Sequence, residues 1–62
     1  MNWTDKQLRN WAENISEPGY GKVSQKTVRE VILDRANNEE LAQGFSRDEI
    51  RTITAYANEF NK

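Results

Sequence analysis

The sequence contains no cysteine and no histidine. The absence of cysteine excludes a disulfide framework and thiol chemistry, and the two absences together remove the usual ligand sets for zinc, haem and iron–sulfur clusters. We therefore expect no metal and no cofactor. Acid–base or nucleophilic catalysis would need a buried carboxylate or lysine, and no motif marks one, so the sequence predicts a protein that is not an enzyme and has no small-molecule substrate.

Long apolar runs are also missing. No stretch approaches the roughly 20 residues that a helix needs to span a bilayer. The first five residues lack the basic region and apolar stretch of a signal peptide. We therefore expect no membrane partner and a cytoplasmic location.

Apolar residues are scarce for a folded domain. They make up 35% of the 62 residues, while charged residues make up 31% and nearly cancel at a net charge of −1. A chain of this length is one domain, residues 1–62, and it buries only about 60% of its surface on folding. Such a thin core favours packing against a partner or a second copy.

Helix starts are the clearest signal in the chain. Thr4 with Gln7, and Ser46 with Glu49, have the spacing of a capping box, in which each side chain satisfies a backbone N–H of the other residue. Ser24 is a good N-cap without a box partner. Each cap is also flanked by an apolar pair with the spacing of a hydrophobic staple: Trp3 and Leu8, Val23 and Val28, Phe45 and Ile50.

Residues that end or separate helices complete the helix assignment. Pro18-Gly19 favours a turn, Asn37 with Glu40 can cap a short helix, and Gly44 ends it. The sequence thus predicts helices over 5–15, 25–36, 39–43 and 47–60, and no strand. The predicted fold is all-α, a small orthogonal bundle of three main helices plus one short helix.

Each main helix carries an apolar stripe with spacings of three and four residues. The stripes comprise Leu8, Trp11, Ala12 and Ile15; Val28, Val31 and Ile32; and Ile50, Ile53, Ala57 and Phe60. Among the aromatic residues we assign Trp3, Trp11, Phe45 and Phe60 to the core. Tyr20 stands between two glycines, where it is either an exposed interface anchor or a ring folded back over the bundle.

The second helix carries the candidate binding surface. Lys22, Lys26 and Arg29 fall on one helical face, opposite the apolar stripe, and suit a phosphate backbone. The simpler interpretation is a solvated surface, with Lys26 and Glu30 as an ordinary ion pair at spacing i,i+4. Leu33 shares this face and is either a partner contact or, as we favour, covered by another helix.

Two local patterns resemble helix-turn-helix regulators. Residues 23–32, VSQKTVREVI, are similar to a recognition helix, which implies that Gln25, Lys26 and Arg29 face the major groove and Ser24 a phosphate. Residues 41–50, LAQGFSRDEI, are similar to the first helix and turn of the same class. In a helix-turn-helix the first helix and turn precede the recognition helix, whereas here the pattern similar to the recognition helix comes first. In addition, an eight-residue connection, residues 16–23, stands before that pattern in place of the short turn.

The spacing of residues around Gly21 excludes a phosphate-binding loop. Gly21-Lys22 has the end of that motif, but Ser16 stands where the first glycine belongs and Val23 where a serine or threonine is needed.

Two hypotheses remain. The first is a non-catalytic helical binding module, acting as a regulator, adaptor or inhibitor through a protein partner or self-association. Its surface would comprise Tyr20, Lys22, Gln25, Lys26, Arg29 and Leu33. The alternative is a small DNA-binding protein that uses helix 25–36 as its recognition helix, against which the acidic pI of about 5.3 argues. Proteins of both kinds are common in bacteria and phages, and by analogy we expect such an origin.

Overall fold

The computed structural model describes residues 3–16 and 22–61, and these ranges contain helices and no strand. The helices are α1 (Asp5–Ile15), α2 (Gln25–Arg35), α3 (Asn38–Gln43) and α4 (Arg47–Phe60). The predicted all-α bundle of three main helices plus one short helix is confirmed. The bounds of α1 and α4 are those predicted, while α2 ends one residue earlier and α3 begins one residue earlier. The predicted turn at 18–19 lies outside the described residues.

Local capping chemistry starts each helix where the sequence predicts it. Both hydrogen bonds of a capping box are present at three helices: Thr4 with Gln7 in α1, Asn37 with Glu40 in α3, and Ser46 with Glu49 in α4. The Ser24 side chain accepts a bond from the Thr27 backbone N–H at 3.1 Å and caps α2 without a box. At the end of α3, Gly44 adopts a positive φ of 72°, a conformation that favours glycine.

Helix α4 forms the centre of the fold, because α1 and α2 both pack against it, α1 more extensively. The core consists of apolar side chains from these three helices: Leu8, Ala12, Ile15, Val28, Ile32, Ile50, Ile53 and Ala57. Helix α3 buries none of its residues. The apolar stripes of the three main helices therefore account for the core, and α3 lies at its edge.

Not all of the predicted aromatic core is buried. Trp3, Trp11 and Phe45 are half-buried and pack against the core from its edge. The prediction for Phe60 is wrong, because its side chain is 42% exposed. Phe60 is the last residue of α4 and belongs neither to the buried core nor to the half-buried side chains packed against it.

Polar contacts also join the helices to one another. The Arg35 guanidinium donates to the carbonyl of Asn14 at 2.8 Å, which connects the end of α2 to the end of α1. The Tyr56 hydroxyl donates to Asp5 at 2.6 Å, connecting α4 to the start of α1. Within the described residues, no helix is long and apolar enough to cross a membrane.

Candidate protein-binding surface

The solvent-facing side of α2 carries the residues that the sequence singles out. Val28 and Ile32 are buried on the side of α2 that packs against α4. Arg29 and Leu33 each follow one of them, and because a helix turns about 100° per residue, their side chains project away from the core. Five of the predicted site residues form this exposed surface, which we call the α2 face: Lys22, Gln25, Lys26, Arg29 and Leu33. Tyr20, the sixth predicted residue, lies outside the described residues.

The cations of the α2 face have no carboxylate within 4.0 Å among the residues that the structure describes. The expected ion pair between Lys26 and Glu30 is not formed. In residues 3–16 and 22–61, the only ion pair within 4.0 Å joins Arg51 and Asp48 on α4. The positive charges of Lys26 and Arg29 are therefore left to water, or to a partner.

Leu33 is the most exposed large apolar side chain in the described part of the chain, at 68%. The expectation that another helix covers it is wrong. Because α2 packs on α4 with its opposite side, and α3 follows only after a two-residue connection, no described helix lies over Leu33. Isolated exposed leucines are common on protein surfaces, so the surroundings of Leu33 decide its significance.

A shallow apolar groove adjoins Leu33. It has a volume of about 210 Å³ and runs between α2 and the connection from α3 to α4. Its lining residues are Arg29, Ile32, Leu33, Leu41, Gly44, Phe45 and Ile50. The structure thus brings Arg29 and Leu33 together on the rim of one concave surface, which we call the leucine groove.

Sequence reasoning missed Leu41, the second exposed leucine of this groove, which is 40% exposed. It is the only large apolar residue in α3. A six-residue helix with one large apolar residue has no apolar stripe to bury. This feature of the sequence could have predicted that Leu41 is exposed.

The pattern at residues 41–50, which resembles the first helix and turn of a helix-turn-helix regulator, covers the end of α3 and the start of α4. A three-residue connection, residues 44–46, joins α3 to α4 at the place of the expected turn. The helix after that turn has Asp48 and Glu49 in its first turn and packs against both α1 and α2.

Comparisons with protein-family models, with curated proteins and with solved structures found no match for this chain. Across the described residues, no group of three acidic side chains converges to hold a metal ion. The chemistry of the surface is therefore the basis for a functional proposal.

Proposed function

We propose that this chain is a small non-catalytic helical module, located in the cytoplasm, that acts as a regulator, adaptor or inhibitor by binding a protein. Its contact surface is the α2 face together with the leucine groove. The observation that carries the proposal is the position of Leu33, which is 68% exposed and lies beside Arg29 on the rim of a groove that contains Phe45 and Ile50.

The energetics of this surface favour a macromolecular partner. Full burial of a leucine side chain stabilises a complex by about 1.5–3 kcal/mol, and Leu33 and Leu41 are both available. The groove, at about 210 Å³, is smaller than the roughly 300–1,000 Å³ typical of a small-molecule site. It has room for one or two side chains that project from a larger surface.

The charges on the rim indicate the chemistry of the partner. Lys26 and Arg29 have no carboxylate within 4.0 Å among the described residues, and they lie on the same side of α2 as Leu33. A partner that inserts an apolar side chain beside Leu33 and places acidic residues toward Lys26 and Arg29 would complement both features. We therefore propose an acidic amphipathic helix as the occupant, which presents its apolar anchors at helical spacing.

DNA binding is the alternative, and the exposure of the first half of α2 favours it. Ser24 caps this helix, and Gln25, Lys26 and Arg29 are all exposed just after the cap, as a recognition helix requires. The net charge of −1 disfavours this alternative, because nucleic-acid binders carry a basic excess.

A displayed library of acidic amphipathic helical peptides tests the protein-binding proposal. We expect peptides selected on the full chain to bind at least tenfold more weakly to Leu33→Ala and to Lys26→Ala/Arg29→Ala, because these variants remove the apolar contact and the cations respectively. Phe60→Ala is the control, because Phe60 is also an exposed large apolar side chain, at 42%, and does not line the groove. Equal affinity for Leu33→Ala and the wild type would contradict the proposed surface.

A DNA titration separates the two functions. At low salt, a mixed-sequence duplex should leave the backbone amide signals of residues 22–29 unshifted if the surface binds protein. Shifts in these signals, with an affinity that falls steeply as salt rises and disappears in Lys26→Ala/Arg29→Ala, would support the DNA-binding alternative instead.

A further inference from the structure

A second, polar groove runs along α1. It has a volume of about 500 Å³ and is bounded by α1, the end of α2 and the start of α3. Its lining combines two indole rings, three side-chain amides and one pair of opposite charges: Trp3, Trp11, Gln7, Asn10, Asn14, Arg35 and Glu40. We call it the amide groove.

The hydrogen bonds within the protein leave some of these groups unused. Gln7 and Glu40 each accept a capping bond through one side-chain oxygen, and the Trp3 indole N–H donates to Gly44. In the described part of the chain, the exposed side-chain amides of Asn10 and Asn14 make no hydrogen bond. Each offers both a donor and an acceptor to a ligand.

The molecule contains an internal example of what such an amide can bind. The side-chain oxygen of Asn58 accepts from the backbone N–H of Val23 at 2.7 Å, and its NH₂ group donates to the carbonyl of the same residue at 3.3 Å. One asparagine on a helix thus captures both polar groups of a single non-helical residue. Asn10 and Asn14 present the same carboxamide from a helix, with no backbone paired to them in the described residues.

The spacing of the two asparagines matches an extended chain. Residues four apart on a helix are separated by about 6 Å along its axis, and alternate residues of an extended strand are separated by about 6.6 Å. A strand lying along α1 would therefore place every second residue, with its N–H and C=O pointing the same way, opposite Asn10 and then Asn14.

We propose that the amide groove binds an extended peptide segment, with backbone groups of alternate residues paired to Asn10 and Asn14 and an apolar side chain against Trp11. Arg35 and Glu40 carry opposite charges, so the groove selects no strongly charged ligand. Recognition through the backbone tolerates many sequences. This site is separate from the α2 face and does not depend on the function proposed for that surface.

A displayed library of random linear eight-residue peptides tests this proposal. The library is selected on the full chain after depletion on Asn10→Ala/Asn14→Ala, and the enriched peptides are synthesised. Both tryptophans of the chain line the groove, so intrinsic fluorescence reports binding directly. We expect each single alanine variant to bind about tenfold more weakly, as the loss of a paired hydrogen-bonding group predicts.

N-methylation of the peptide backbone gives the decisive measurement. A methyl group on the N–H of a residue paired with Asn10 or Asn14 should weaken binding about tenfold, and a methyl on the residue between them should not. Asn38→Ala is the matched control, because Asn38 is an exposed asparagine outside the groove. Circular dichroism verifies that all variants remain helical.

Three outcomes would overturn the proposal. One is a library in which the wild type and Asn10→Ala/Asn14→Ala retain the same peptides. The second is affinity that does not depend on the position of the N-methyl group. The third is loss of binding in Leu33→Ala, which would place the peptide in the leucine groove.

Discussion

The indole ring of Trp3 lies flat on the phenyl ring of Phe45, with 4.5 Å between the ring centroids and 5° between the planes. Trp11 meets the same phenyl ring edge-on, with centroids 5.8 Å apart. The Trp3 indole N–H donates to the carbonyl of Gly44 at 2.8 Å. Trp3, which precedes the N-cap of α1, is thereby fixed to the connection that precedes α4.

We predict that Trp3→Ala lowers the free energy of unfolding by about 2–3 kcal/mol. This value lies below the roughly 3–5 kcal/mol of a fully buried aromatic residue, because Trp3 is half-buried. Trp3→Phe keeps an aromatic ring on Phe45 and loses only the bond to Gly44, so it should cost about 1 kcal/mol. Urea denaturation followed by far-UV circular dichroism measures both. Equal stability of the two variants would show that the stack contributes nothing.

Glu49 makes the stability of the fold depend on pH. Its carboxylate accepts from the backbone N–H of Ser46 at 2.8 Å and from the backbone N–H of Trp3 at 3.1 Å. These bonds, that from Ser46 most strongly, hold the pKa of the Glu49 carboxyl below its ordinary value. The resulting stabilisation is present above the unfolded-state pKa of about 4.3 and is lost as the pH falls through the lower folded-state pKa.

We predict that Glu49→Gln is at least about 1 kcal/mol less stable than the wild type near neutral pH, since the amide is neutral and has one acceptor oxygen where the carboxylate uses two. Below about pH 4 the difference should shrink, because the wild-type carboxyl also becomes neutral. Denaturation of both proteins across this range measures the difference. If the difference in the free energy of unfolding between the two proteins stays constant with pH, the role assigned to the Glu49 charge is contradicted.

Asn58 should stabilise the start of α2 through its two bonds to Val23. We predict that Asn58→Ala costs about 1–2 kcal/mol, because the N–H and C=O of Val23 both lose their partner. Asn58→Asp keeps the acceptor for the Val23 N–H and loses the donor, so it should cost less. Hydrogen exchange at the Val23 amide provides a local readout: exchange should be faster in the alanine variant and change less in the aspartate variant.

Position 44 favours glycine because of its backbone conformation, and not because a side chain would lack space. Its φ is 72° and its ψ is 174°, a region that residues other than glycine rarely adopt, while a Cβ built there would meet nothing within 4 Å. Gly44→Ala should therefore cost about 1–3 kcal/mol from backbone strain. Chemical synthesis with D-alanine, which favours positive φ, should leave stability unchanged or increase it. A similar loss for both enantiomers would indicate a steric cause instead.

The two sides of α2 should respond differently to truncation. Ile32 is 3% exposed and Leu33 is 68% exposed. We predict that Ile32→Ala costs about 2–4 kcal/mol, and that Leu33→Ala changes stability by less than about 0.5 kcal/mol. Thermal denaturation compares them. A large loss for Leu33→Ala would mean that Leu33 supports the fold and is not free for a partner.

The helix bounds could be predicted from sequence because caps act locally. Thr4, Ser24, Asn37 and Ser46 each accept a bond from the backbone N–H three residues ahead, so a short window of sequence contains the whole interaction. The stripe of α1 is likewise a property of one helix, and its buried positions are those expected.

The errors come from how the helices are placed against one another. Phe60 continues the stripe of α4, but it is the last residue of that helix and lies outside the packed core. Leu33 is exposed because no described helix lies over that side of α2. The leucine groove exists only once α2 and the α3–α4 connection are juxtaposed, and a single helical wheel does not contain that information.

The central position of α4 has a consequence for synthesis of the chain. Both α1 and α2 bury their apolar sides against a helix that begins only at Arg47. During translation the ribosome releases two amphipathic segments before the surface that will cover them exists, and isolated helices of 11 residues are marginal in water. We therefore expect the fold to form only after α4 has been synthesised, and a chain truncated before Ile53 and Ala57 to remain unfolded.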